Sequence, residues 1–114
     1  MREPARDKER LLHINEAIER IERYMKDVSM AALLADDMRY YAVVKNIEII
    51  GEAANMLTYE FRETHPETPW KMIVGMRNYI THEYFQVKTE VVQEVITQDL
   101  PELKEQIEKY LKEK

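Results

Sequence analysis

The sequence predicts an all-α fold, an antiparallel bundle of four to five helices in a single domain over residues 1–114. Three observations carry this. Two glycines and four prolines in 114 residues cannot supply the tight turns that a sandwich or barrel needs. Apolar residues recur at steps of three and four along most of the chain, the period of one helical face. Hydrophobic residues make up 45% against 34% charged, enough apolar material to enclose a core and so to exclude disorder throughout. The absence of cysteine removes a disulfide framework, a thiolate metal site and a cysteine nucleophile. The first residues are charged and no apolar run approaches the ~20 residues that span a bilayer. No signal peptide and a cytoplasmic setting are therefore expected, with no membrane partner.

The first helix is expected from about Ala5 to Asp27 on the stripe Leu11, Ile14, Ile18, Ile21, Met25 and Val28. Ser29 can cap a short helical piece through Ala35, and Asp36 can cap the second long helix, because their side-chain oxygens accept from the free N–H groups of a first turn. That second helix carries the stripe Val43, Ile47, Ile50, Ala54, Leu57 and Phe61. A second apolar line, Ala42, Ile49, Ala53 and Met56, lies beside it, so two of its faces find apolar neighbours. Gly51 sits in the middle at a cost of about 1 kcal/mol in helix propensity, and close approach of another helix backbone would offset that cost. His65-Pro66-Glu67-Thr68-Pro69 breaks the pattern. Thr68 can cap a third helix with Pro69 at its first position, running from Trp70 to about Tyr84 with a bend near Gly75. Phe85 to Lys88 reads as a connection. Thr89 caps a short helix through about Thr97, and Asp99 with Pro101 starts the last one on Leu100, Leu103, Ile107 and Tyr110.

The chemistry-bearing residues concentrate in Gly75-Met76-Arg77-Asn78-Tyr79-Ile80-Thr81-His82-Glu83-Tyr84-Phe85. Arginine binds phosphate oxygens in a fork and keeps its charge. Histidine exchanges a proton near neutral pH. Asn78 and His82 are four apart and share a helix face, so the amide can orient the ring. Arg77 and His82 are five apart, about 140° and 7.5 Å on an ideal helix. They converge only if the arginine wraps round, the helix deforms, or a second subunit completes the site. Glu48, Glu52, Asn55 and Tyr59 form a polar line on the second helix that either lines the cleft and positions Arg77 or is simply solvated. His13 and His65 have no ligand cluster around them, and no metal site or cofactor is expected. Trp70 reads as an anchor for the third helix. A net charge of −5 argues against a phosphate-tracking surface overall; locally, Lys71, Arg77, His82 and Lys88 fall in and beside the signature helix.

Arg77-Asn78-x-x-x-His82-x-Tyr84 resembles the R-x4-H-x-Y signature of HEPN-domain toxins of the HepT-like branch. The resemblance extends to Val44–Ala54, to the Pro-Trp approach of Thr68–Asn78 and to Asp99–Leu103, in the family's order along most of the chain. It implies a homodimeric helical bundle in which Arg and His from both subunits line one cleft and cut RNA without a metal. Arg77, Asn78 and His82 fall on the active-site positions, and Glu48 and Glu52 are candidates to line the cleft. Attack of a ribose 2′-OH on the adjacent phosphorus is the implied mechanism. The resemblance further implies a minimal nucleotidyltransferase antitoxin as partner, which silences the toxin by attaching AMP to Tyr84. The alternative is a non-catalytic HEPN module that assists a nucleotidyltransferase.

Overall fold

A computed structural model describes residues 6–82 and 88–113; the side chains of Thr81 and His82 also fall outside that description. The expected start at Ala5, the Phe85–Val87 connection and Tyr84 lie outside the described residues. The regular structure among the described residues is all helical: Asp7–Met25 (α1), Met30–Leu34 (α2), Asp37–Asn55 (α3), Tyr59–Thr64 (α4), Trp70–His82 (α5), Thr89–Glu94 (α6) and Leu100–Glu113 (α7). None of these helices is long and apolar enough to cross a membrane.

The caps at Ser29 and Asp36 are as expected, whereas Thr89 is itself the first residue of α6, preceded by Lys88 with no side-chain cap. Ser29 Oγ accepts from Ala32 N at 3.1 Å and Asp36 Oδ1 from Arg39 N at 3.1 Å. Those Arg39 contacts, the backbone N–H first and the guanidinium second, hold the Asp36 carboxyl below its ordinary value. The guanidinium also donates to Tyr24 O, fastening the end of α1 to the start of α3. At the opposite end Asp7, 3% exposed, accepts from Thr58 N (2.9 Å) and Thr58 Oγ1 (2.7 Å). The start of α1 therefore meets the end of α3, and the two run antiparallel. α3 packs on both α1 and α5, and α1 on α7, which makes α3 the central helix that its two apolar lines predict. Leu11, Ile14, Ile18 and Ile21 meet Val43, Ile47, Ile50 and Ile107 in one core, within which each buried side chain adds about 1.5–3 kcal/mol of transfer free energy.

Two boundaries differ from the sequence expectation. The stripe that continues to Phe61 is not one helix: α3 ends at Asn55, and Thr58 caps α4 by accepting from Phe61 N at 3.1 Å. Phe61 still reaches the core, stacked on His65 (4.0 Å between centroids) and edge-on to Trp70 and Tyr110. Further on, the expected gap before Asp99 is absent. Thr89 through Glu113 is one helical rod with a π turn at Val95–Asp99, where Leu100 N–H reaches back to Val95 O. Asp99 is inside that rod and starts nothing. Pro101 has no N–H to donate and its ring crowds the carbonyl four residues back; a wider turn just before it lets the rod continue.

The α4–α5 link is fixed by side chains. Trp70 is buried and its Nε1 donates to His65 O at 2.9 Å, so it anchors α5 as expected. Thr68 Oγ1 bonds Tyr110 Oη and Gln106 Oε1, which ties the link to α7. His65 lies against Phe61 and its Nε2 is 3.0 Å from Glu113, a packing role.

Candidate active site

α5 crosses α3 at Gly51. A Cβ there would overlap Arg77 Cβ and lie 3.0 Å from Ile73 O and 3.1 Å from Arg77 Cα. Only a residue without a side chain lets the two backbones come this close, so the glycine that weakens α3 as an isolated helix is what seats α5. The consequence is positional. Arg77 starts directly over α3, and the residue after the glycine, Glu52, is its partner: Arg77 Nε donates to Glu52 Oε2 at 2.7 Å. Arg77 Nη1 donates to Asn78 Oδ1 at 2.8 Å.

Of the five N–H donors of a guanidinium, these two bonds fix the plane, and among the described residues the Nη2 pair has no partner on a side chain that is 33% exposed. An anion arriving at those donors would meet an arginine already oriented. Asn78 Oδ1 is engaged by Arg77, which leaves its Nδ2 group as the end available to donate elsewhere. Glu52 thus contacts Arg77 while staying about half exposed. Glu48 does not join it and instead contacts Lys45 Nζ at 3.5 Å. Tyr59 has left the Glu48–Glu52–Asn55 line altogether, because the break before Thr58 places it on α4.

The helix is regular from Trp70 to His82. The angular divergence of about 140° between positions 77 and 82 is therefore not relieved by deformation. Nor does Arg77 wrap toward position 82, since its Nε is held on α3. Lys71, Gly75, Asn78 and the backbone position of His82 fall within one face of α5 by helical register, away from the buried line Trp70, Ile73 and Ile80. Tyr79, which carried no expected role, accepts from Lys88 N at 2.9 Å and so brings the chain back against the signature helix. Among the described residues no three His, Cys, Asp or Glu side chains converge as a metal site would require.

Comparison with known proteins gives this geometry a family. The profile described as "Ribonuclease HepT-like" matches residues 14–110. The chain belongs to the ribonuclease HepT-like family. The enzyme class expected for it, an RNase, is the class that this family carries. A Thermococcus cleftensis protein named "Probable ribonuclease HepT" is 37% identical over 105 residues, 92% of this chain and 96% of that one. A Caldanaerobacter subterraneus subsp. tengcongensis protein, provisionally named as an RNase, is 40% identical over 101 residues, 89% and 90% of the two chains. A Methanocaldococcus jannaschii protein whose name joins a gamma-glutamylcyclotransferase to an RNase is 42% identical over 103 residues, 90% of this chain but 46% of that one. No solved structure matches the chain.

Proposed function

We propose that this HepT-like protein is a cytoplasmic, metal-independent endoribonuclease toxin that works as a homodimer. The observation that carries the reading is the fixed guanidinium of Arg77, held by Glu52 and Asn78 with its Nη2 donors unpartnered among the described residues. It stands five residues from the position of His82, about 140° round the helix. A second copy that sets its own Arg77 and His82 opposite this pair supplies both proton carriers and both cations to one cleft.

The reaction on this reading starts with His82 taking the proton of a ribose 2′-OH. The freed oxygen attacks the adjacent phosphorus, and Arg77 stabilises the charge that grows on the non-bridging oxygens. The P–O5′ bond breaks, and His82 of the partner subunit gives its proton to the departing 5′ oxygen. The products are a 2′,3′-cyclic phosphate and a 5′-OH. Asn78 supports the chemistry by holding Arg77 and by offering its Nδ2 donor. Silencing by a minimal nucleotidyltransferase antitoxin follows from adding AMP to Tyr84, since a phosphodiester at the cleft adds bulk and negative charge that repel RNA.

The test is cleavage of single-stranded RNA in EDTA. Wild type should yield cyclic-phosphate ends, and Arg77→Ala or His82→Ala should lose at least about a hundredfold in rate, the usual reach of one acid–base or oxyanion-type group. Equal activity in wild type and His82→Ala rules out the catalytic assignment and leaves the alternative of a non-catalytic module assisting a nucleotidyltransferase. In the same preparations, ATP and the partner enzyme should add AMP mass to wild type and none to Tyr84→Phe; equal addition to both refutes the modification site.

A further inference from the structure

A groove of about 610 Å³ runs between α4 and α5 and ends at Asn78, the residue that holds Arg77. Tyr59 is 70% exposed, far more than a tyrosine used for packing, and the Glu63 carboxylate near its hydroxyl raises the phenol above its ordinary value. Arg62 lines the same groove, and its Nε is buried without a hydrogen-bond partner. Lys71 adds a second cation from α5. Between them Gly75 has open space where a Cβ would stand, so the floor of the groove is backbone at its middle. Glu63 is the one carboxylate on these walls, against two cations.

An exposed aromatic ring, two cations and a groove with a bare floor are the components that hold a single-stranded nucleotide, one face for the base and two charges for the phosphate. We propose that the α4–α5 groove is a nucleotide subsite, in which Tyr59 stacks on the base next to the scissile phosphate while Lys71 and Arg62 hold the phosphate beyond it. The proposal rests on the ribonuclease reading and extends it. Lys71 and Asn78 are seven residues apart, about 10.5 Å along α5, so a strand lying in the groove runs from Arg77 outward along the helix. Base stacking tolerates any sequence, and the subsite therefore sets affinity and strand length more than base identity.

Binding of a short fluorescein-labelled single-stranded oligoribonucleotide to His82→Ala protein, followed by anisotropy, tests this without cleavage. Adding Tyr59→Ala should weaken binding about tenfold and adding Tyr59→Phe very little, as expected for loss of a stacking face. Adding Lys71→Gln should lower the slope of log Kd against log salt by about one, as expected for a single phosphate contact. Both side chains are exposed, so melting temperatures should not move. In the wild-type background Tyr59→Ala should raise KM more than it lowers kcat, since a stacking contact to a base that undergoes no bond change contributes mostly uniform binding. A wild type that cuts RNA while Tyr59→Ala and Lys71→Gln bind unchanged overturns the groove alone. A wild type that neither binds nor cuts RNA overturns the ribonuclease reading and the groove with it. Loss of the dimer in light scattering on either substitution makes the groove a protein interface and also overturns the proposal.

Discussion

The two glycines of this chain sit in the middle of two helices and do opposite things. Gly51 is buried under α5, where any side chain would strike Arg77 and the Ile73 carbonyl. Gly75 is exposed on the far side of that same α5, and among the described residues nothing lies within 4 Å of where a Cβ would stand. One is a contact that fixes the distance between two helices; the other is an opening on the face that carries Asn78. The difference teaches that α5 has a packed side and an open side, and that Arg77 joins them. Its stem is packed against the crossing, and its head turns through Glu52 and Asn78 to the open face.

The strongest way to break this contrast is Gly51→Ala. The atoms in the way are backbone and a Cβ, which cannot swing aside, so the helices must part. Overpacking of this kind costs about 1–3 kcal/mol, and the gain in helix propensity returns about 1 kcal/mol at most. Urea unfolding should show a net loss of up to about 2 kcal/mol. Because Arg77 rides on the displaced helix, RNA cleavage should fall further than the stability loss explains at temperatures where the variant is fully folded. An unchanged midpoint and unchanged activity would show that the crossing has slack and that Gly51 does not seat Arg77.

Gly75→Ala sharpens the other side of the comparison. With open space around the new methyl, only the propensity term remains, and stability should rise by about 1 kcal/mol. The same unfolding experiment reads it. A loss at this position would mean that the face is already covered in solution by something that needs the missing Cβ, and the open side would then be a second packed crossing.

Much of this was legible in the chain, and what was not has a common cause. The stripe from Leu11 to Ile21, the Ser29 and Asp36 caps and the close approach at Gly51 depend on residues within a few positions of each other, or on a single glycine whose cost demands a reason. The end of α3 does not. The apolar period runs on through Leu57 to Phe61, and the break is set by Asp7, which bonds Thr58 from 51 positions away. The π turn likewise reflects a compromise between Pro101 and a rod long enough to pack on α1, which no local window contains. At the site, the arginine and the amide were visible in the signature. The choice of Glu52 over Glu48 was not, since it depends on which turn of α3 lies under α5. The missed Tyr79 has its partner, Lys88, nine residues on and across the undescribed stretch.

The smallest effect is expected where α5 meets the π turn, on a flank between its packed and open sides. Asp99 borders a small cleft there with Pro69, Met72, Ile73 and Met76. Burial, first, and then the charges of Glu94 and Glu102 raise its carboxyl above the ordinary 3.8. A carboxyl raised in the folded state binds its proton more tightly there than in the unfolded chain. Stability therefore falls as pH rises from 3.8 through the folded value, and the ionised group is a liability at neutral pH. Asp99→Asn removes that liability while keeping the shape of the side chain. Its melting temperature should exceed that of wild type at pH 7 by less than the Gly75→Ala gain, and the advantage should shrink as pH falls and vanish below 3.8. An advantage that grows on acidification would mean that the carboxylate is favoured in the fold, held by the N–H groups of the π turn rather than penalised by its acidic neighbours.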